Sequence, residues 1–338
     1  MRHQVKPGCE PVVAPSATEK KLDNLIAVPR HWQRPAATEE AAYNSILRRA
    51  SELDLQYYGV PWATVIDGIH ERSPKAHDIL FALRNVHQDE PTCHTKRCTV
   101  AQHIRALEYI YLFEAIGITD LFWSHATNDL TEFHGMRIHP FPLFPAQASS
   151  YQVSETSEKR HLANFVGAFN PKIYLSNVRE IIFGDTGTAE DLLIIKRERW
   201  HFDRAVYDEQ IHGSSASDHQ LEIEEQMKQE YVDAIKQSWF TLCPTGSGPN
   251  SIRIFESLML GSIPIILTNR LNLPGPHKLW RDSCIIEEDS ELGYRRALDV
   301  ARDMSLDAKT KMLNCGKALA TFIDPVNYAN IIIDQVNS

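Results

Sequence analysis

The segment at residues 242–267, LCPTGSGPNSIRIFESLMLGSIPIIL, restricts the possible folds more than any other part of the chain. Apolar runs of strand length lie at 239–243 and 263–267, on either side of a loop and a helical pattern. The loop at 244–249 cannot continue the first strand, because its two prolines lack a donor N–H and its two glycines favour open backbone angles. The segment therefore predicts a strand, a tight loop, a short helix and a buried second strand.

This order of elements predicts an anion site at the start of the helix. Asn250 or Ser251 can cap the helix, and Gly261 can end it. Free N–H groups and the positive end of the helix dipole would then point out of the loop, where a phosphate would sit. The residues predicted to surround that phosphate are Pro244, Gly246, Gly248, Asn250 and Ser251.

The helix itself has two faces, since successive residues are rotated by about 100°. Its apolar side chains fall on one side, while Asn250, Arg253 and Glu256 share a neighbouring arc. Arg253 could bind a phosphate, and Glu256 could accept hydrogen bonds from ribose hydroxyls. The same spacing also fits an ordinary surface ion pair between Arg253 and Glu256, and spacing alone leaves both interpretations open.

The composition indicates a soluble enzyme rather than a nucleic-acid or membrane protein. With 338 residues and 43% hydrophobic content, the chain is long enough to bury two cores. A net charge of -9 argues against a dedicated nucleic-acid binder. No apolar run of about 18 residues is present to span a membrane, and the six cysteines lack disulfide or zinc-finger spacing. We therefore expect no transmembrane segment and a cytoplasmic location, with peripheral membrane contact left open.

The chain is predicted to hold two domains between an arm and a terminal helical segment. Residues 1–38 are weakly patterned and contain prolines, so they are expected to form an irregular arm. The polar, aliphatic-poor stretch at 147–160 suits a link between domains. The predicted units are a first domain at 39–150, a second at 160–300, and a helical segment at 301–338.

The first domain shows the alternation of a parallel sheet with helices on its faces. Its patterns predict, in chain order, a helix at 39–51, strands at 58–67 and 79–81, a helix at 101–115 and a strand at 120–123.

The second domain begins with a similar unit. A strand at 163–166 ends at Gly167, and a helix at 173–182 carries Arg179. Gly167 could allow the backbone to approach a diphosphate, to which Arg179 would add positive charge. Gly167 could equally be a plain turn glycine, and both interpretations stay open.

Several motifs that would indicate other chemistry are missing from the sequence. The dinucleotide fingerprint is incomplete, because Ser251 stands where a third glycine would follow Gly246 and Gly248. No P-loop, G-x-S-x-G or H-E-x-x-H pattern occurs. The chain also lacks an Asp-x-Asp pair, the usual holder of a divalent ion on a sugar diphosphate. We therefore expect neither a cofactor nor a metal, with arginine and helix N–H groups neutralising the diphosphate.

The pattern C-P-x-G-x-G-P-x-S-x-R-x-x-E at 243–256, followed by G-x-I-P at 261–264, resembles the signature of the exostosin-like glycosyltransferases. Upstream stretches at 58–64, 102–104 and 117–125 resemble the amino-terminal half of bacterial members. The resemblance covers roughly residues 55 to 295.

This resemblance implies the GT-B architecture, two doubly wound Rossmann-like α/β domains that face each other across a cleft. The second domain would hold a nucleotide sugar, expected to be a UDP-sugar, and the first would hold a saccharide or glycan acceptor. The family implies inversion at the anomeric carbon, a role in polysaccharide biosynthesis, and a C-terminal segment that packs back on the first domain. Two alternatives remain: a transferase for a CMP-activated acid sugar, and a non-catalytic glycan- or nucleotide-binding protein.

The transfer requires a base that takes the proton from the acceptor hydroxyl. His125 is the first candidate, because it follows the strand at 120–123 and side chains at carboxyl ends of parallel strands face such a cleft. Asp67 is the second candidate and His103 the third. Each of these residues could instead have a structural role.

Overall fold

The computed structural model describes residues 20–22, 24–88, 96–148, 158–187, 189–199, 204, 209 and 213–336. The chain forms two α/β domains, each built on a largely or wholly parallel sheet. The first domain contains β1 (Lys20–Leu22), β2 (Leu25–Ala27), α1 (Thr38–Leu47), β3 (Gln56–Gly59), α2 (Trp62–His70), α3 (Pro74–Gln88), β4 (Arg97–Ala101), α4 (Ile110–Glu114), β5 (Asp120–Trp123), β6 (Glu132–Phe133) and β7 (Met136–Pro140).

The first sheet has the strand order β1-β2-β3-β4-β5-β7-β6. Strands β2 to β5 and β7 run parallel, and the short strands β1 and β6 add antiparallel edges. Neighbouring residues of β5 point to opposite faces, with Leu121 in the core beneath α2, α3 and α4, and Phe122 in the core beneath α1. Helices on both sides explain why Leu121, Phe122 and Trp123 are all apolar, without polar alternation.

Three predicted elements of the first domain are wrong. The strand predicted at 58–67 ends at Gly59, and most of its remainder forms α2, where Trp62, Val65 and Ile66 recur at helical spacing in the core. The strand predicted at 79–81 lies inside α3. The helix predicted at 101–115 divides into the end of β4, a 3-10 turn (Ala106–Tyr109) and the short α4. Short apolar runs fit a strand or a buried helix equally well, which explains these errors.

The described part of the N-terminal arm is also more regular than predicted, while residues 1–19 lie outside the described residues. Within the expected irregular stretch at 1–38, β1 and β2 form a hairpin, and β2 pairs in parallel with β3. Leu25, Ile26 and Ala27 are fully buried. Because β2 is covered on both faces, its three apolar residues form a strand of the sheet despite the surrounding prolines.

The second domain is a five-stranded parallel sheet with helices on both faces. Its elements are β8 (His161–Ala168), α5 (Val178–Gly184), β9 (Leu192–Arg197), α6 (Asp218–Lys236), β10 (Ser238–Pro244), α7 (Ile252–Met259), β11 (Ile263–Leu267), α8 (His277–Ser283), β12 (Ile285–Glu287), α9 (Glu291–Asp303), α10 (Leu306–Phe322) and, at the end of the chain, α11 (Tyr328–Val336).

The strand order of this sheet is β12-β11-β10-β8-β9, so the direction of winding reverses between β8 and β10. In open α/β sheets, ligands bind outside the carboxyl ends of the strands at such a switch point. Here the carboxyl ends of β8 and β10 are Ala168 and Pro244. The loops after these two strands are therefore the expected place for a ligand in the second domain.

The segment at 301–338 does not pack back as one unit. Leu319, Ala320 and Ile323, in and just after α10, pack with α7 and α8 in the second domain. The 3-10 turn at Pro325–Asn327 and α11 lie against the first domain, where Ser45 of α1 donates to the carbonyl of Val326 and Tyr328 and Ile332 join the core of α1 and the sheet. In the described part of the chain, no helix is both long and apolar enough to cross a bilayer.

The two domains meet beyond the carboxyl end of β5. Within 124–128, the carbonyl of Ser124 accepts from Asn250, the carbonyl of Ala126 accepts from the N–H of Asn272, and Thr127 forms an antiparallel bridge with Leu271. These contacts hold the loops after β10 and β11 against the first domain. The prediction of two α/β domains, each built on a parallel sheet, is confirmed, and the direction of winding reverses in the second sheet.

Candidate functional site

The loop after β10 is folded by its own backbone. The N–H of Gly246 donates to the carbonyl of Gly248 at 3.0 Å, and the N–H of Leu175 donates to the carbonyl of Gly246 at 3.1 Å. Ser251 precedes α7, but its side chain accepts no N–H of the helix, so the predicted cap is not formed. Asn250 instead donates to Ser124 of the first domain at 2.5 Å. The first N–H groups of α7 therefore have no side-chain cap.

Arg179, on α5, reaches this loop from below the carboxyl end of β8. It is 3% exposed, and it donates to the carbonyl oxygens of Thr245 at 3.0 Å and Ala168 at 3.1 Å. Its Cζ lies 4.0 Å from the ring centroid of Tyr174. Burial, and then the neighbouring charge of Arg253, lower the pKa of Arg179 to about 9. The guanidinium thus stays charged at neutral pH in a poorly solvated position.

Arg253, on α7, lies beside Arg179. Its Nη2 donates to the carbonyl of Val166 at 2.7 Å, and its Cζ is 4.9 Å from the ring centroid of Phe165. Neither Arg179 nor Arg253 pairs with a carboxylate within the described residues. A buried and a partly buried guanidinium group that form no ion pair are costly to hold side by side, so their position favours a phosphate ligand.

Gly167 explains how Arg253 can come so close to the strand. A Cβ atom at this position would lie 2.5 Å from Nη2 of Arg253 and 3.3 Å from the ring of Phe165. The glycine thus makes room for the arginine, and its predicted approach to a diphosphate stays a prediction.

Four buried polar atoms around this loop have no hydrogen-bond partner among the described residues. Most buried polar groups in proteins are paired, so such a concentration needs an explanation. The atoms are Oγ of Ser251, Nε of Arg253, Nδ1 of His125 and Oδ1 of Asp289.

Glu256 does not occupy either of its predicted positions. It is fully buried, and its carboxylate accepts from the hydroxyl of Tyr231 at 2.5 Å and from the N–H of Gln147 at 2.9 Å. Burial raises its pKa to about 7. Both the surface ion pair with Arg253 and an open contact to ribose are therefore wrong for this arrangement. The helix face is covered by α6 and by the chain entering the link between domains, which spacing within α7 could not show.

Asp289 is a site residue that the sequence analysis missed. It follows β12, and its carboxylate accepts from the hydroxyl of Thr245 in the loop after β10. Burial raises the pKa of this carboxyl. Asp289 lies two residues beyond β12, and carboxyl ends of parallel strands meet at one edge of the sheet. This position is the sequence feature that could have pointed to Asp289.

His125 lies at the contact between the domains, without the gap expected for a sugar. It is 6% exposed, and a Cβ on Gly248 would lie 2.5 Å from its Nδ1. Its ring donates to the backbone carbonyl of Gln102, while burial and then the nearby His103 lower its pKa to about 3. A neutral, enclosed imidazole of this kind is a weak base, because an effective catalytic pKa lies near the working pH.

Asp67 and His103 form a partly exposed pair at the carboxyl edge of the first sheet. Nδ1 of His103 accepts from the N–H of Arg105 at 3.1 Å, so its Nε2 carries the proton that bonds Asp67 at 3.0 Å. Gln33 donates to the other oxygen of Asp67 at 2.6 Å. Both nitrogens of His103 are thus engaged, whereas each oxygen of Asp67 retains an unused lone pair.

A buried carboxyl, Glu39, joins the two segments that carry Asp67 and His103. It accepts from the backbone N–H groups of Ala63 and Gln102, each at 3.1 Å, and so ties the start of α2 to the end of β4. Burial raises the pKa of Glu39 to about 8. No sequence pattern marked this residue as special, because it lies in an ordinary acidic first turn of α1.

A comparison with protein families bears on the resemblance seen in the sequence. Residues 122–284 match the model of the Exostosin GT47 domain. The match covers just under half of the chain. The matched span contains Gly167, Arg179 and the whole loop from β10 to Arg253, but not Asp67 or His103. The predicted resemblance to the exostosin-like family is thereby confirmed.

Two curated relatives match shorter parts of the chain. One, named Probable glucuronoxylan glucuronosyltransferase, from Arabidopsis thaliana, is 32% identical over 84 residues, which are 25% of this chain and 19% of the relative. The other, named Probable glucuronosyltransferase, from Oryza sativa subsp. japonica, is 43% identical over 53 residues, 15% of this chain and 12% of the relative. The chain thus spans less than two thirds of the length of either. The family and both relatives support the prediction of a glycosyltransferase.

Solved structures with a related arrangement include an alpha,alpha-trehalose-phosphate synthase (UDP-forming) from Burkholderia xenovorans. It has 10% identity and a TM-score of 0.43, covering 89% of this chain and 77% of that chain. A sucrose-phosphate synthase from Thermosynechococcus elongatus has 10% identity and a TM-score of 0.40, covering 76% and 70%. At these TM-scores the likeness carries no weight for mechanism.

Proposed function

We propose that this protein transfers a sugar from a nucleotide-sugar donor, a UDP-sugar, to a saccharide or glycan acceptor. The observation that carries the proposal is the pair Arg179 and Arg253, two guanidinium groups without a carboxylate partner at the switch point of the second sheet. The diphosphate of the donor would lie between these groups and the uncapped start of α7.

The same groups would assist the chemical step. When the bond between the anomeric carbon and the diphosphate breaks, negative charge grows on the leaving oxygen. Fixed donors in a site of low solvent content stabilise that charge without reorganising. The unpartnered Nε of Arg253 and hydroxyl of Ser251 are two such donors. The proposal therefore needs no metal ion, in keeping with the lack of an Asp-x-Asp pair.

We assign the base to Asp67, ahead of His125 and His103. In the proposed step, Asp67 takes the proton of the acceptor hydroxyl. The oxygen of that hydroxyl attacks the anomeric carbon while the diphosphate leaves from the opposite side, with inversion. Gln33 and His103 hold the carboxylate in place. Ile104, next to His103, packs on Gly248 of the donor loop, so the pair lies close to the site of the diphosphate.

The names of the two relatives restrict the choice of donor sugar. Both are described as glucuronosyltransferases. UDP-glucuronic acid is therefore the first donor to test, with UDP-glucose, UDP-N-acetylglucosamine and UDP-xylose beside it.

A donor screen separates this proposal from its two alternatives. The full chain is heated with each nucleotide sugar, thermal stabilisation is recorded, and release of UDP or CMP is measured with and without a mixture of oligosaccharide acceptors. UDP release that depends on an acceptor supports the proposal. Release of CMP alone would indicate the acid-sugar transferase, whereas stabilisation without release under any acceptor would indicate a binding protein.

A further inference from the structure

Gln102 and His103, which directly follow β4, lead to the carboxylate of Asp67 by two separate routes. His103 bonds one oxygen directly at 3.0 Å. Gln102 bonds the side chain of Gln33, whose Nε2 donates to the other oxygen of Asp67 at 2.6 Å. Gln102 itself is 6% exposed and has no part in the steps above. The second route thus joins the proposed base to a buried amide of the first domain.

Backbone groups fix the orientation of the Gln102 carboxamide at both ends. Its Oε1 accepts from the N–H of Thr38 at 2.8 Å, and its Nε2 donates to the carbonyl of Ala36 at 2.6 Å. A backbone N–H only donates and a backbone carbonyl only accepts, so the amide cannot turn over without losing both bonds. The N–H groups of Gln102, rather than its oxygen, therefore face Gln33.

Gln102 in turn fixes the carboxamide of Gln33. Its Nε2 donates to Oε1 of Gln33 at 2.9 Å, so the end of Gln33 that faces Asp67 is the one with N–H groups. If Gln33 turned over, its oxygen would face a carboxylate oxygen, and only a proton on Asp67 could bond the two. A protonated Asp67 could not take the proton of an acceptor. The orientation of Gln33 therefore affects whether Asp67 can act as a base.

We propose that Gln102 is a positioning residue for the transfer, which acts through Gln33 to keep an N–H donor on Asp67 and its carboxylate free to accept a proton. The inference rests on the proposed function, in which Asp67 is the base. It also makes the N-terminal arm, which carries Gln33, part of the acceptor side of the site. This arm lies outside the span at 122–284 that matches the family.

The competing interpretation is that Gln33 and Gln102 only anchor the arm on the first domain. A second tie between the arm and α2 separates the two roles, because the hydroxyl of Thr64 donates to the carbonyl of His31 at 2.6 Å without touching Asp67. If anchoring were the whole role, loss of either tie would change turnover alike. If Gln33 positions the base, only its own loss should slow the chemical step.

The test uses the full chain, with the donor and acceptor that give the fastest UDP release in the donor screen. The variants are Gln33→Met, Gln102→Met, the double variant and the control Thr64→Val, since methionine keeps the length of glutamine without its amide. Each single methionine variant should lower kcat about tenfold, the effect of losing a hydrogen bond to a charged group, with the Kd of UDP unchanged. The double variant should be no slower than Gln102→Met, because both changes act through one bond. Thr64→Val should keep the kcat of wild type.

Two results would overturn the inference: a wild-type kcat in Gln33→Met, or an equal loss of kcat in Gln33→Met and Thr64→Val. A further measurement covers the case in which Gln102→Met does not fold. Added to Asp67→Asn, Gln33→Met should cause no further loss of kcat, whereas a second tenfold loss would mean that Gln33 acts independently of the base.

Failure of the proposed function would look different. A wild-type kcat in Asp67→Asn would remove the base and the inference with it, and absence of UDP release with every donor would remove the transferase activity itself. In the results that overturn the positioning role alone, wild type transfers sugar and Asp67→Asn is slow.

Discussion

Arg179 and Arg253 converge on one aromatic ring, with their Cζ atoms 5.6 and 4.9 Å from the centroid of Phe165. They belong to helices that follow different strands, β8 and β10, and they meet because these strands are neighbours at the switch point. The ring face offsets part of the cost of bringing two cations together. The remaining positive charge is what a diphosphate would neutralise.

Replacing Arg253 with alanine should weaken UDP binding while leaving the fold intact. Loss of a hydrogen bond to a charged group costs about 1.5–3 kcal/mol, which corresponds to roughly a ten- to hundredfold rise in Kd. Calorimetric titration with UDP and inorganic diphosphate measures the effect. Arg302→Ala removes a guanidinium that pairs with Asp191 on the exposed surface of the same domain, so it is the matched control. Equal affinities in wild type and Arg253→Ala would remove Arg253 from the site.

Gly167→Ala should also weaken the binding of UDP, because it displaces Arg253 rather than because Gly167 contacts UDP. The added Cβ would lie 2.5 Å from Nη2 of Arg253 and displace the guanidinium from the carbonyl of Val166. Gly184→Ala is the control, since a Cβ there meets nothing within 4 Å. Affinity for UDP and thermal stability are measured for both variants. If Gly167→Ala bound UDP as tightly as wild type does, the guanidinium of Arg253 would either bind no phosphate or move without cost.

Asp67→Asn should slow turnover by about 10²–10⁴-fold, because it removes the proposed base. Affinity for UDP should hardly change, since Asp67 belongs to the opposite domain. Steady-state kinetics and UDP titration are run in parallel on Asp67→Asn, His103→Gln and His125→Phe. His103→Gln should have a smaller effect, through the orientation of Asp67. A larger loss of kcat in His125→Phe than in Asp67→Asn, at equal stability, would restore His125 as the base.

Activity should survive chelation. Positive charge at the leaving diphosphate is supplied by two arginines and the start of α7, and the sequence lacks the Asp-x-Asp pair that would hold a divalent ion. Initial rates are compared after dialysis against EDTA and after addition of Mn²⁺ or Mg²⁺. A rate that vanishes in EDTA and returns with manganese would contradict the metal-free proposal.

Glu256 should make the protein less stable as the pH rises. Burial raises its pKa from 4.5 to about 7, so between these values the folded state holds more protons than the unfolded state. Its contribution to the unfolding free energy is thus fully favourable below about pH 4.5 and is lost as the pH rises to about 7. Glu256→Gln removes this dependence, a change on the order of 2 kcal/mol between pH 5 and 8.

Urea unfolding of wild type and Glu256→Gln at several pH values measures this difference. The slope with pH is the relevant quantity, because a glutamine also loses an acceptor at every pH. Glu39 titrates in both proteins and cancels from the comparison. Parallel curves for the two proteins would show that Glu256 keeps an ordinary pKa.

The parts of the site that could be predicted are those whose evidence is local. Prolines and glycines at 244–249 end one strand, and a helical period follows, so β10, the loop, α7 and β11 appear in the structure close to the expected positions. Gly167 and Arg179 could be singled out for a similar reason, because one lies near the end of a recognisable strand and the other on the helix that follows. In the first domain, short apolar runs gave too little information to distinguish α2 and α3 from strands.

The sequence by itself determined the strand, loop and helix from β10 to α7 and the resemblance to the exostosin family, which the match at residues 122–284 confirms. Tertiary structure decided which side chains face that site, since this depends on segments distant in the chain. Gln147 covers Glu256 from 109 residues away, Ser124 binds Asn250 across 126 residues, and Asp289 reaches Thr245 across 44. Helical and strand periods report only which residues share a face. The packing of other elements on that face determines whether it is buried or open to a ligand.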